Sequence, residues 1–145
     1  MRQFPIIRIV SKFMIPYILL YGMYVQFHGD FGPGGGFQAG VIFASALILY
    51  GLVFGLNAVQ AVAPEWLIEK LIALGLVIYA GTGFTCLLLG GRFLEYSVLE
   101  HHLLPGILPH EQHLGIFLVE FGVGITVTSV MVMIYYAFAS REPAA

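Results

Sequence analysis

One acid, Glu120, interrupts the apolar stretch 114–138. A charge inside a spanning segment is costly to bury, so its default reading is a proton- or cation-handling carboxylate. Glu120 lies about seven residues into the stretch, roughly 10 Å along a helix axis. Gly124, one turn on, leaves room beside it for another helix or for water. Two structural readings stand beside this one. The acid could meet headgroups at a helix start, or be protonated and hydrogen-bonded to a neighbouring chain.

A second group of chemically capable residues precedes that stretch: Glu95, Glu100, His101, His102, His110, Glu111 and His113. Four histidines among acids have the composition of a metal site. His110-Glu111-Gln112-His113 is one residue short of HExxH, whose histidines must stand one helical turn apart. His101, His102, His110 and His113 are therefore weak metal candidates. They suit a pH-responsive rim or a loop that contacts a partner better, since imidazoles titrate near neutrality. No set of nucleophile, base and orienting group can be assembled, which argues against enzymatic chemistry by this chain.

The third group is a loop, His28-Gly29-Asp30-Phe31-Gly32-Pro33-Gly34-Gly35-Gly36-Phe37-Gln38. Pro33 suits a first helical position, and Asp30 would complement the positive end of a helix. Bare amides at a helix start can bind anions. A Walker loop is excluded, because no Lys-Ser/Thr pair follows and no basic residue stands nearby. Close backbone contact with a neighbouring chain fits the glycines better, with Phe37 and Gln38 as the contacts.

The elements that hold these residues are membrane helices. The 145 residues are 59% hydrophobic and 10% charged, against roughly 25% charged in soluble domains. Residues 31–64 carry no charge, a run longer than the ~20 residues that span a bilayer. An all-α integral membrane protein is predicted, with four transmembrane helices at about 13–27, 37–59, 66–91 and 114–138 and a glycine-rich loop between the first two. The first can lengthen back to Pro5 if Arg8 and Lys12 snorkel. Its basic flank imitates a signal peptide, but no small-x-small cleavage site follows, so the helix reads as uncleaved. Gly36, Gly40 and Ala44, then Gly51 and Gly55, recur every four residues, as small-xxx-small rows do where helices pack closely. Gly122 with Thr126, and Gly81 with Thr85, give the other helices similar patches. Arg2, Arg8, Lys12, Lys70 and Arg141 fall at one end and Arg92 at the other, which places both termini in the cytoplasm. A net charge of -2 offers no basic surface for nucleic acid. Cys86 is a small packed thiol that can form no intrachain disulfide.

The loop from His28 to Gly40 resembles the signature of the MnhB/MrpB family, the B-type components of multisubunit Na+/H+ antiporters. The segment His113-Leu114-Gly115 through Val119-Glu120-Phe121-Gly122-Val123-Gly124 is similar to that family's last helix. The resemblance covers nearly the whole chain as a single domain, 1–145. Asp30 stands where the family often has a second histidine, and Ala39 replaces a common glycine. The resemblance implies a transporter subunit in a bacterial or archaeal cell membrane, with no cofactor and with Na+ and H+ as the transported ions. Its partners would be large complex-I-like proton-translocating subunits and other small subunits. The loop residues His28, Asp30, Pro33, Gly34, Gly35, Gly36, Phe37 and Gln38 would brace those neighbours, and Glu120 is the candidate for the ion path. The alternatives are an equivalent subunit of another energy-converting complex, such as a membrane-bound hydrogenase, and a self-contained four-helix metal or small-molecule permease.

Overall fold

The computed structural model describes residues 5–29, 34–103 and 113–140. Among these the helices are α1 (Pro5–Phe27), α2 (Gly36–Phe54), α3 (Leu56–Val62), α4 (Glu65–Leu88), α5 (Tyr96–Leu103) and α6 (His113–Ala139). Of these α1, α2, α4 and α6 are long and apolar enough to cross a membrane, so the protein is a multi-pass membrane protein. α6 lies at the centre, between α2 and α4, and α1 leans on α2.

Small residues set how closely these helices approach. On α2, a Cβ added at Gly40 would stand 2.8 Å from the Gly124 carbonyl oxygen, and one at Gly51 would stand 2.7 Å from the Tyr135 hydroxyl. Ala44, on the same face, is fully buried. Between α4 and α6 the contact is reciprocal. A Cβ at Gly75 would lie 2.5 Å from the Gly122 carbonyl, and a Cβ at Gly122 would lie 2.8 Å from the Gly75 carbonyl. In lipid, where the hydrophobic effect does not drive helices together, such backbone contact is a main source of packing energy. The Thr128 hydroxyl adds a polar tie, donating to the Gly124 carbonyl at 2.7 Å and reaching the Gly40 carbonyl at 3.1 Å.

At the opposite end from the glycine loop, Ala44, Val59, Ala63, Ile68, Val132 and Tyr136 form a buried cluster. The Tyr136 hydroxyl donates to the Ala63 carbonyl at 2.7 Å inside it. Arg8, Lys12 and Lys70 gather at this end. The Arg8 guanidinium and Lys12 ammonium stand 5.3 and 5.6 Å over the Phe54 ring, and the Lys70 ammonium 4.9 Å over Trp66. Their long alkyl stems let α1 run back to Pro5 while its charges stay at the membrane edge.

Three expectations need correction. The second span does not reach residue 59, because Gly55 breaks it with φ 103°. With ψ 159° this is a region open essentially to glycine alone, costing another residue about 1–3 kcal/mol. The Gly55 amide closes α2 by donating to the Gly51 carbonyl at 2.8 Å, and its carbonyl opens α3 by accepting from Ala58 at 3.1 Å. The break turns α3 so that Val59 enters the core. Second, the connector after α4 is not wholly loop. It contains α5, whose Leu99 is buried, with Val98 packed where a Cβ at Gly91 would come within 2.7 Å. Third, the expected patch at Gly81 and Thr85 packs against nothing among the described residues, since the space beside Gly81 is open. Gly75 takes that role in α4 instead.

This difference sets up a paired test. Gly75→Leu should lower the stability of the detergent-purified chain by about 1–3 kcal/mol or more, the cost of overpacking. Gly81→Leu should leave its thermal midpoint near that of the parent. Equal effects of the two substitutions would contradict the α4–α6 seam.

Candidate functional site

The glycine loop is fastened to the end of α1 by one acceptor. The Val25 carbonyl receives the His28 amide and the Gly35 amide, each at 3.3 Å. A Cβ at Gly34 would stand 2.9 Å from that same oxygen. Gly35 then takes φ 113° and caps α2, its carbonyl accepting the Ala39 amide at 3.0 Å. The loop therefore turns back on α1 and delivers the first turn of α2 to α6.

Glu120 meets it there. A Cβ at Gly35 would lie 2.9 Å from Glu120 Oε1, and a Cβ at Gly29 would run into the same carboxylate at both oxygens. At Gly36 the obstruction is the backbone itself, for a Cβ there would collide with the Glu120 carbonyl oxygen. The half-buried carboxyl group thus rests on bare backbone at the N-terminus of α2. The positive end of a helix dipole complements an acid in that position. Phe27, Phe117 and Phe121 stack in a row along the α1–α6 flank, with centroids 5.8 and 6.0 Å apart. This arrangement can hold a proton or a small cation against one carboxylate beside a wall of aromatic rings.

The other residues singled out from sequence are placed differently. Gly35 and Gly36 are buried against this chain's own Glu120, whereas Phe37 is 64% exposed and Gln38 is also exposed. His28 stacks on Tyr24 with ring centroids 5.1 Å apart. His113 begins α6. Asp30, Pro33 and His110, with the side chains of His101 and His102, lie outside the described residues. Among the described residues no three His, Cys, Asp or Glu side chains converge as a metal site would require. α5 sits at this end of the molecule, with Tyr96 against Gly115. Burial pushes the Tyr96 phenol above its ordinary value of 10.0, with smaller contributions from Tyr79 and Cys86, so it stays neutral at physiological pH.

Two residues at the site are not visible as such in the sequence. Gly29 reads there as one more loop glycine, but it is the glycine whose missing side chain makes room for the carboxylate. Gln26 is 6% exposed and lies beside Gly124 on α6. A polar residue close to the end of an otherwise apolar helix is the available signal for it.

Comparison with known proteins places this geometry. A family model described as a domain related to the MnhB subunit of Na+/H+ antiporter matches residues 6–133. The chain belongs to this MnhB family. It is 36% identical over 137 residues to an antiporter subunit mnhB2 of Staphylococcus haemolyticus (strain JCSC1435), covering 94% of this chain and 95% of the relative. It is 38% identical over 117 residues to the B-type subunit of the Na(+)/H(+) antiporter of Alkalihalophilus pseudofirmus, covering 76% and 79%. The match spans the glycine loop and Glu120 together, the two parts that the fold brings into contact.

Within this MnhB domain, the type of atom obstructed separates two outcomes. Gly36→Ala should sharply reduce the yield of folded chain, because backbone on α6 cannot move aside cheaply. Gly29→Ala should fold at near-parent yield, because the flexible end of Glu120 can swing away. Measuring both yields by size-exclusion chromatography in mild detergent checks this, and a well-folded Gly36→Ala chain would contradict the close α2–α6 contact.

Proposed function

We propose that this chain is the B-type membrane component of a Na+/H+ antiporter complex and that Glu120 lies on its ion path. The observation that carries the reading is the placing of the Glu120 carboxyl group against Gly29 and Gly35, where the loop enters α2. Membership of the MnhB family and the names of the two relatives support the antiporter context. A carboxylate binds a proton or Na+ in turn, releasing one as it takes the other, so a site of this kind exchanges the two ions without a cofactor. The role is transport and bracing, with no enzymatic step.

Exposed Phe37 and Gln38 are the loop residues that meet neighbouring subunits, while the glycines behind them hold α2 to α6. Those neighbours are large complex-I-like proton-translocating subunits and other small subunits of the same assembly. The complex sits in a bacterial or archaeal cell membrane with both termini of this chain cytoplasmic. The gathering of Arg8, Lys12 and Lys70 at one end favours that orientation.

Glu120→Gln keeps the size of the side chain and removes its charge. Complexes carrying it should assemble normally yet lose Na+-dependent proton exchange at least about tenfold, roughly 1.4 kcal/mol in the rate-limiting barrier. Exchange is read as Na+-induced pH change in everted membrane vesicles. Full exchange by an assembled Glu120→Gln complex would remove Glu120 from the path.

A further inference from the structure

α1 has two unlike faces. Ser11, Gly22, Val25 and Gln26 are buried on one of them, against the rest of the chain. The other carries Phe13, Tyr17, Tyr21 and Tyr24, all exposed, and ends at the partly buried His28. At 100° per residue these five positions fall within an arc of about 80°, so they form one aromatic row along the helix. Ring centroids in the row lie 5.1 Å apart for Phe13 and Tyr17, 6.3 Å for Tyr21 and Tyr24, and 5.1 Å for Tyr24 and His28. A hollow of about 590 Å³ opens beside its C-terminal end, lined by Leu20, Met23, Tyr24, Phe27 and His28.

This row is ill suited to lipid. A membrane tyrosine ordinarily sits at headgroup level, with its ring in hydrocarbon and its hydroxyl in a polar layer. Along the helix axis Tyr17 stands about 18 Å from Pro5 and about 15 Å from Phe27, and Tyr21 about 24 and 9 Å. A hydrocarbon core about 30 Å thick covers nearly all of α1, so both phenols fall within it. The hydroxyls of Tyr17, Tyr21 and Tyr24 make no hydrogen bond among the described residues. α4 shows the contrasting case of a face made for lipid. Its exposed Leu74, Leu76, Val77, Phe84, Leu87 and Leu88 are apolar, and the exposed Thr85 hydroxyl donates to the Gly81 carbonyl of its own helix at 2.7 Å.

We infer that the tyrosine row of α1 is a docking face for a transmembrane helix of another subunit of the antiporter assembly, one that presents hydrogen-bond acceptors to Tyr17, Tyr21 and Tyr24. Serine, threonine, asparagine, glutamine or acidic side chains on that helix would serve. The inference rests on the reading of this chain as an antiporter component and is independent of the role given to Glu120. Lipid tails offer no acceptor, and headgroups are too distant from Tyr17 and Tyr21. A second copy docked in parallel on its own row would bring its Arg8 and Lys12 to the same depth as those of the first, where like charges repel. A helix from a different subunit meets neither objection. The rings supply contact area, and the hydroxyls fix register through interhelical hydrogen bonds, which together with close packing hold helices in lipid.

Two measurements on the assembly, purified through a tag on this chain, test the docking face. Tyr17→Phe, Tyr21→Phe and Tyr24→Phe combined in one chain remove three hydroxyls and keep every ring. The variant chain should fold as the parent does but hold the other subunits about tenfold less tightly, read from their loss on stepwise dilution in detergent. A benzophenone side chain incorporated at position 21 should cross-link to a transmembrane helix of another subunit, located by peptide mapping, whereas one at position 76 on α4 should label lipid. Parent-level retention of the other subunits by the triple variant overturns the inference. Labelling of lipid alone, or of a second copy of this chain, from position 21 overturns it as well. If the unaltered chain retrieves no antiporter subunit, the antiporter reading fails and the docking face with it. If it retrieves the assembly and position 21 still labels only lipid, the antiporter reading stands and the docking face alone falls.

Discussion

The contact between the first turn of α2 and the N-terminal part of α6 decides the rest of this structure. At Gly36 there is no room for even one carbon between the two backbones, because the Glu120 carbonyl occupies its place. Gly40 repeats the contact one turn on against the Gly124 carbonyl, and the Thr128 hydroxyl bridges the Gly40 and Gly124 carbonyls. α4 reaches α6 on another side through the Gly75–Gly122 approach. α6 is thus held from two sides by backbone, in a solvent where apolar side chains gain little by leaving lipid for protein.

That arrangement also explains how a carboxylate is tolerated inside a spanning helix. Glu120 is carried by the same residue whose carbonyl meets Gly36, so its side chain arrives beside Gly29 and Gly35 as a consequence of the packing. The loop that brings those glycines is pinned at both ends to the Val25 carbonyl. Charge complementarity with the start of α2 and the absence of side chains leave the acid in contact with main chain instead of hydrocarbon. Fold and site are therefore one set of contacts, and Phe37 and Gln38 are left facing outward for neighbours.

Much of this is legible in the sequence because lipid makes simple demands. Long apolar runs disclose the four spans, and a lone acid in the last of them stands out as Glu120. The four-residue spacing of Gly36, Gly40 and Ala44 marks a packing face, although its partner, α6, lies some eighty residues away in the chain. Spacing does not distinguish Gly51, which packs on Tyr135, from Gly55, which breaks the helix through its positive φ. Both read as small residues in one row. Gly81 looks like Gly75 for the same reason, and three-dimensional pairing alone separates them. Gln26 reads as part of an apolar span, since nothing local shows that its amide is enclosed by a helix from the other end of the chain.

The central claim is that the glycine loop acts on ion exchange through the Glu120 carboxyl group. A double-mutant cycle between Gly29→Ala and Glu120→Gln, read as Na+-driven proton exchange by the assembled complex in vesicles, tests it most directly. If Gly29 serves only to place that carboxyl group, each single change slows exchange and the double variant is no slower than Glu120→Gln alone. If the two losses multiply, Gly29 and Glu120 act independently and the account of the site is wrong.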